Sequence, residues 1–224
     1  MALTAANVLT RAQDILQDLT NVRWPAAELL RWLNDGRREL CIFRPDVYAI
    51  VGVVELELGT KQAIPVSASR FLDAYRNMAA DGTTPGAAVR PIQREILDAQ
   101  FPSWHTETGA ATKHFMFDER VPRVFYVYPP ALAAAKLEIA YAQSPADITN
   151  TGDSLTQEDL YAGALVDYIC YRAYAKDATH ASNMQRAAAA YLQFKGAIIE
   201  GDNRDMTASP NTSRTDGTPP KGVG

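Results

Sequence analysis

Apolar residues recur at helical spacing near the N-terminus and predict two helices there. The first has one apolar face, made by Val8, Ala12, Ile15 and Leu19. Its expected N-terminal cap is Thr4 or Asn7. The second begins at Pro25, which suits the first position of a helix, and ends at Arg44-Pro45, because the residue before a proline avoids the helical region. The buried stripe expected on this second helix is Leu29, Leu33, Gly36, Leu40 and Phe43.

Two further helices are predicted towards the C-terminus. The first starts at Thr156-x-x-Asp159, which resembles a capping box, and its main apolar face is Tyr161, Leu165, Tyr168, Tyr171, Ala175 and Ala178. More apolar residues lie off that stripe, so we expect neighbours on several sides of the helix: Leu160, Ala164, Ile169 and Tyr174. The last helix is predicted to start at Ser182-x-x-Gln185 and to stop at Gly201, with the stripe Met184, Ala188, Tyr191, Phe194 and Ile198.

Between these helices the pattern changes to the alternation typical of β-strands. Val54, Leu56 and Leu58 alternate with two glutamates, and residues 59–62 are predicted to form the turn that follows this strand. Further strands are expected over 71–78, 114–117, 123–128 and 136–142, and a short helix over 93–99.

The predicted fold class is therefore α+β. We expect a four-helix core of two N-terminal and two C-terminal helices, with an inserted small antiparallel β domain and an extended C-terminal arm. The expected boundaries are 1–46 for the N-terminal helical hairpin, 47–150 for the β-rich insert, 151–200 for the C-terminal helical hairpin and 201–224 for the arm. A chain of 224 residues that is 47% hydrophobic is long and apolar enough to bury such a core.

The last 24 residues differ in composition from the rest of the chain. They contain four Gly and three Pro but no aromatic residue, and their larger aliphatic side chains are Met206 and Val223. Such a segment cannot bury enough apolar surface to offset the entropy lost on ordering. We expect it to be disordered unless something outside the fold holds it.

Charge and cysteine content exclude several classes of protein. The net charge of −4, from 22 basic and 26 acidic residues, argues against a nucleic-acid-binding protein whose affinity comes mainly from phosphate contacts. Cys41 and Cys170 lie alone in helical patterns and are expected to be buried reduced thiols. We also expect no signal peptide and no membrane span, and therefore a soluble protein made inside a cell.

No catalytic residue, metal site or cofactor is predicted. The three histidines, His105, His114 and His180, have no partner at metal-ligand spacing. Asp118 and Glu119 have the chemistry of an acid and a base, but their place between two strands favours a solvated hairpin turn. The chain contains no nucleophile elbow, phosphate-binding loop or dinucleotide fingerprint.

Tyrosines are concentrated on the two C-terminal helices. They could stack nucleobases or line a ligand groove, but only Arg172 and Lys176 supply cations between them. We therefore favour a helix–helix contact or a subunit interface at Tyr161, Tyr168, Tyr171, Tyr174 and Tyr191.

Several segments, taken in order, resemble one family. They are Trp24-Pro25-Ala-Ala-Glu28-Leu-Leu-Arg-Trp32-Leu-Asn34-Asp35, Arg44-Pro45-Asp46, Leu58-Gly59-Thr60-Lys61-Gln62, Arg76-Asn77, Asp98-Ala-Gln-Phe-Pro102-Ser-Trp104 and Tyr126-Val-Tyr128-Pro129-Pro130. With these segments the chain resembles the head-to-tail adaptor, or connector, proteins of tailed phages, especially those of short-tailed podophages.

This resemblance implies a non-enzymatic virion protein at the portal vertex or neck, made in the host cytoplasm. In that family a homo-oligomeric ring, expected to have twelve copies, binds beneath the portal protein, extends the DNA channel and receives the tail tube or nozzle protein. Packaged DNA passes through without sequence-specific binding. A C-terminal extension reaches into the portal, so portal contacts are expected at Arg204, Met206, Pro210, Arg214, Pro219, Pro220, Lys221 and Val223.

Three alternatives stay open at the level of sequence. One is a different virion component, such as a tail gatekeeper or a capsid-associated accessory protein. A second is a small hydrolase or nuclease that uses Asp98, His105, His114 or Asp118. The third is a monomeric binding module.

Overall fold

A computed structural model describes residues 3–107, 109–155, 158–177 and 181–208, without the side chains of 181 and 202–208. Its α-helices are α1 (Ala5–Leu16), α2 (Ala26–Phe43), α3 (Arg94–Gln100), α4 (Ala162–Lys176) and α5 (Ala181–Ala208). Its strands are β1 (Ala49–Glu55), β2 (Gly59–Ala63), β3 (Ala68–Met78), β4 (Pro85–Ala88), β5 (Arg90–Pro91), β6 (His114–Phe117), β7 (Val124–Ala131) and β8 (Lys136–Gln143). The fold is thus α+β, as predicted. None of the helices described is long and apolar enough to cross a bilayer.

The described chain divides into two compact units. The helical unit contains the residues up to Arg44 and those from Asp147 onward, and therefore α1, α2, α4 and α5. The β unit is the intervening segment, Pro45–Ala146, with all eight strands and α3.

Helix α1 begins with the predicted cap. Thr4 and Asn7 form a capping box, in which the Asn7 amide nitrogen donates to Thr4 Oγ1 (3.4 Å) and the Thr4 amide nitrogen donates to Asn7 Oδ1 (2.9 Å). The prediction that the apolar face continues to Leu19 is wrong. The helix ends at Leu16, because Gln17 adopts the left-handed conformation (φ 56°), and Ile15 and Leu19 are exposed.

Helix α2 uses a glycine to approach α4. Pro25 lies just before the helix as its N-cap, and the predicted face at Leu29, Leu33, Gly36 and Leu40 is buried, whereas Phe43 is largely exposed. A Cβ atom at Gly36 would lie 2.8 Å from Cδ1 of Tyr168, closer than non-bonded carbon atoms pack. Glycine at this position therefore allows close contact between α2 and α4.

Helix α4 lies at the centre of the helical unit. It packs against α1, α2 and α5, which confirms the prediction of neighbours on several sides. The proposed four-helix core is not confirmed in that form. The largest apolar cluster is built chiefly by α1, α2 and α4, and α5 contributes Ala190 to it. The capping residue Thr156 and the predicted stripe member Ala178 lie outside the described residues.

Helix α5 differs from its prediction in face and in length. Its buried face is Ala187, Ala190, Phe194 and Ile198, so the assignment of Met184 and Ala188 to the buried stripe is wrong. Gly201 does not end the helix, which continues to Ala208. A Cβ at Gly201 would lie 2.9 Å from Oη of Tyr161, so glycine here serves close packing instead of a helix stop. The first eight residues of the predicted disordered arm are therefore helical.

The β unit consists of two four-stranded sheets. Their strand orders are β1-β8-β3-β4 and β2-β7-β6-β5. The expectation of a purely antiparallel domain needs one correction, because β5 pairs with β6 in parallel. The core between the strands contains Phe71, stacked on Phe125 with ring centroids 4.5 Å apart, together with Val127, Leu137 and Ile139.

Four of the predicted strands and the short helix are confirmed as β3, β6, β7, β8 and α3. The predicted strand over 54–58 is wrong, because β1 ends at Glu55, and the predicted turn over 59–62 lies in β2. The Gln62 side chain causes this difference from the predicted elements. Its amide nitrogen donates to the carbonyl oxygens of Glu57 (2.8 Å) and Gly59 (2.9 Å), and its amide oxygen accepts from the Glu57 backbone nitrogen (2.7 Å). These hydrogen bonds hold the chain in a turn before β2.

Candidate functional site

An aromatic cluster holds α5 against α4. The ring of Tyr168 meets that of Phe194 edge to face with centroids 5.0 Å apart, and the rings of Tyr171 and Tyr191 lie 4.9 Å apart. Such aromatic pairs add stability beyond the apolar area they bury. The cluster fixes which face of α5 points away from the helical unit.

Two hydroxyl groups of this cluster, those of Tyr168 and Tyr191, have raised pKa values. Tyr191 Oη donates a hydrogen bond of 2.6 Å to Oε1 of Glu39, and this raises the pKa of Tyr191 to about 12. Burial raises the pKa of Tyr168 to about 12 as well. Helix α5 is thereby joined to α2 by a hydrogen bond and to α4 by ring contacts.

The five tyrosines predicted for a subunit interface lie at different depths. Tyr161 and Tyr168 are buried within their own chain, whereas Tyr171, Tyr174 and Tyr191 are half-buried. Their contact with a second subunit stays a prediction.

Exposed apolar side chains form a ridge along α5. Met184, Leu192 and Ile199 are 61%, 68% and 55% exposed, and Phe43 at the end of α2 is 42% exposed. Lys195 connects the two helices, since its Nζ lies 5.3 Å from the ring centroid of Phe43. We call the set Phe43, Met184, Ala188, Leu192, Lys195 and Ile199 the α5 ridge.

Sequence reasoning missed this ridge for a definable reason. The spacing of Met184, Ala188, Leu192 and Ile199 by four, four and seven residues is visible in the sequence. A helix with apolar residues over much of its girth offers more than one candidate stripe, and the sequence does not say which of them faces the core.

A concave surface lies between α4 and α5. We call it the α4–α5 groove; it encloses about 500 Å³ and is lined by Leu160, Tyr161, Gly163, Ala164, Asp167, Ala197, Glu200 and Gly201. Burial raises the pKa of the Asp167 carboxyl, and the charge of Arg11 offsets part of that effect. The lining thus combines small residues with Leu160, Tyr161 and two carboxylates.

A larger open groove lies in the β unit. It has a volume of about 1030 Å³, with an apolar part that includes Phe115, Phe117 and Tyr126 and a rim of charges of both signs. Asp98 and Asp118, two of the residues considered for a hydrolase or nuclease, are among its lining residues.

Both of these carboxylates accept hydrogen bonds from side chains of the β unit. Trp104 Nε1 donates to Asp98 Oδ1 (2.9 Å) and Arg120 Nη2 donates to Asp118 Oδ2 (2.9 Å). These hydrogen bonds hold the pKa of each carboxyl below its ordinary value. A carboxyl with a lowered pKa is a poor proton donor near neutral pH.

The histidines lie elsewhere. His105 stacks on Trp104 and its Nδ1 lies 2.9 Å from Thr60 Oγ1, while His114 stacks on Tyr128. Neither is among the residues that line the groove of the β unit, and His180 lies outside the described residues. Within the described part of the chain, no group of three or more His, Cys, Asp or Glu side chains is arranged to hold a metal ion. Cys41 and Cys170 are buried and reduced, as predicted.

The predicted portal-contact residues lie at or beyond the end of α5. Arg204 and Met206 have helical backbone, and their side chains are not described. Pro210, Arg214, Pro219, Pro220, Lys221 and Val223 lie outside the described residues. Their role in binding a portal stays a prediction.

Comparison with known proteins gives one family. The family model with the description SU10 adaptor protein matches residues 3–214, which is nearly the whole chain. A comparison with the curated proteins finds no match. The family match includes both the helical unit and the β unit, and it agrees with the resemblance to phage head-to-tail adaptors.

Proposed function

The chain belongs to the SU10 adaptor protein family, and on this basis we propose that it is the head-to-tail adaptor of a tailed phage of the podophage type. In this proposal, copies of the chain form a ring, of twelve subunits, beneath the portal protein at the neck of the virion. The ring extends the DNA channel and provides the platform for the tail tube or nozzle protein. DNA passes through it without sequence-specific binding.

The family match carries this proposal, because it runs in one continuous stretch over residues 3–214. A match of that extent includes the helices, the inserted sheets and the beginning of the C-terminal segment. Since the family is one of structural adaptors, we expect no catalytic activity. Synthesis in the host cytoplasm is part of the proposal.

Two properties of the chain support an assembling protein. The α5 ridge exposes large apolar side chains along one helix, and contiguous exposed apolar surface is typical of protein–protein contact sites. The net charge of −4 is compatible with a channel that lets DNA slide.

The C-terminal segment is proposed to hold the portal. Because α5 continues to Ala208, the segment from 209 onward begins where this helix ends. An arm that orders on binding loses conformational entropy, but several arms on one ring bind together, and this avidity offsets the loss.

The experiment compares the full chain with a truncation after Ala208, using the portal protein of the same phage. We expect the full chain to co-sediment with the portal and the truncated chain to bind it at least tenfold more weakly. Truncation at 208 leaves α5 intact, so far-ultraviolet circular dichroism should show that the shortened protein is folded.

Two results would count against the proposal in different ways. If the truncated chain binds the portal as well as the full chain does, the arm is not the portal-binding element. If the full chain fails to bind the portal and instead binds a tail or capsid protein, the chain is a different virion component.

A further inference from the structure

The α5 ridge and the α4–α5 groove lie on different sides of the same helix. At 3.6 residues per turn, the ridge positions 184, 188, 192, 195 and 199 fall within an arc of about 80°. Ala197, which lines the groove, lies about 180° from the centre of that arc. One helix therefore presents a convex apolar surface on one side and a concave surface on the other.

The two surfaces are complementary in charge. Lys195 lies within the ridge, where its Nζ is 5.3 Å from the ring centroid of Phe43 and 5.6 Å from that of Tyr191. The groove has two carboxylates, Asp167 and Glu200. An ammonium group on the ridge and carboxylates in the groove attract each other when the two surfaces meet.

They are also complementary in shape. The residues that line the groove include Gly163 and Ala197, and a Cβ at Gly163 would meet nothing within 4 Å. Small side chains leave room for larger ones, and the ridge offers Met184, Leu192 and Ile199.

We propose that the α5 ridge of one copy docks into the α4–α5 groove of the next copy, with Lys195 against Asp167 and Glu200. This deepens the proposed function and rests on its ring, because it names the surfaces through which neighbouring subunits meet. A contact between two different surfaces is heterologous, and such contacts close into a ring when the rotation between copies closes.

The alternative pairing of like surfaces is disfavoured by charge. A two-fold contact between two ridges would bring two Lys195 ammonium groups into one apolar contact. A two-fold contact between two grooves would place the carboxylates of one copy against those of the other. A contact between the ridge of one copy and the groove of the next brings opposite charges together. It also adds a second cation to the surroundings of the half-buried Asp167, on which the charge of Arg11 already acts.

Charge reversal tests the contact directly. Lys195→Glu and Glu200→Lys are made in the full chain, and assembly is measured by native mass spectrometry and sedimentation velocity, alone and on the portal. We expect each variant alone to assemble at least tenfold more weakly than the wild type. An equimolar mixture should recover assembly, because an alternating arrangement of the two variants pairs opposite charges in every contact.

A matched control separates a specific effect from a general effect of charge. Lys113→Glu makes the same change of charge at an exposed position in the β unit, outside both surfaces, and should assemble like the wild type. Lys195→Met removes the ammonium group from the Phe43 ring but keeps an unbranched apolar side chain, and should give an intermediate loss of assembly. Circular dichroism at 222 nm checks that each variant is folded.

The outcomes distinguish this inference from the proposed function. If the wild type forms rings and Lys195→Glu assembles as well as Lys113→Glu does, the ridge–groove contact is wrong while the adaptor ring stands. If each reversal weakens assembly but the mixture does not recover it, the pairing of these charges is also wrong. If the wild type forms no ring alone or on the portal, the ring itself is refuted.

Discussion

The close approach of α2 to α4 at Gly36 gives a prediction whose size follows from the structure. In Gly36→Ala the added methyl group would lie 2.8 Å from Cδ1 and 3.1 Å from Cγ of Tyr168, and 3.4 Å from Cδ2 of Leu165. Overpacking of this kind costs about 1–3 kcal/mol. Replacing glycine by alanine in a helix interior returns about 1 kcal/mol through backbone propensity.

Gly196 is the matched control, because it also lies inside a helix but has open space at its Cβ position, with nothing within 4 Å. Gly196→Ala should therefore show the propensity gain alone, an increase of about 1 kcal/mol in the free energy of unfolding. The free energies of unfolding of the two variants should differ by about 1–3 kcal/mol, with Gly36→Ala the less stable.

Urea denaturation followed at 222 nm measures this difference, at a protein concentration where the chain is monomeric. The slope of the free energy of unfolding against urea concentration should be the same in both variants, since neither substitution changes the surface exposed on unfolding. If Gly36→Ala is stabilised as much as Gly196→Ala, the close packing of Gly36 on Tyr168 is not present in the protein.

Three further predictions concern individual side chains. Glu158→Ala removes the buried carboxylate to which Arg37 Nε donates over 2.7 Å, and should lower the free energy of unfolding by about 3–5 kcal/mol. Urea titration measures this loss, and a change below about 1 kcal/mol would contradict the burial of the pair. Burial raises the pKa of the Cys170 thiol to about 12, so iodoacetamide at pH 9 should leave Cys170 unmodified in the native protein and modify it in urea. Modification of Cys170 in the native protein would contradict its burial. Arg120→Ala should raise the pKa of Asp118 towards its ordinary value, as followed by NMR titration, because the main cause of the lowered pKa is removed; an unchanged titration would show that this hydrogen bond is not formed.

The sequence was most informative where a pattern was long or strictly local. The alternation over 136–142 and the cap at Thr4 are local features, and β8 and the capping box of α1 agree with them. The turn before β2 was missed because it depends on hydrogen bonds from a side chain, Gln62, that no hydropathy pattern records. The helical continuation past Gly201 was missed because glycine there packs against Tyr161 instead of capping the helix.

The candidate surfaces were less accessible to sequence reasoning than the fold. The expectation of a helix–helix contact or a subunit interface at Tyr161 and Tyr168 rests on residue type, and both side chains are buried within their own chain. Which stripe of α5 faces the core was decided by its aromatic contacts with α4, chiefly the packing of Phe194 on Tyr168. Those contacts join positions far apart in the sequence, so a single helix pattern does not predict the exposed ridge.

Electron microscopy of the full-length chain mixed with its portal protein tests the central claim most directly. The account predicts a closed ring of adaptor subunits on the narrow end of the portal, coaxial with its channel. Portal particles that carry no added ring, at concentrations where the chain is folded and in excess, would contradict it.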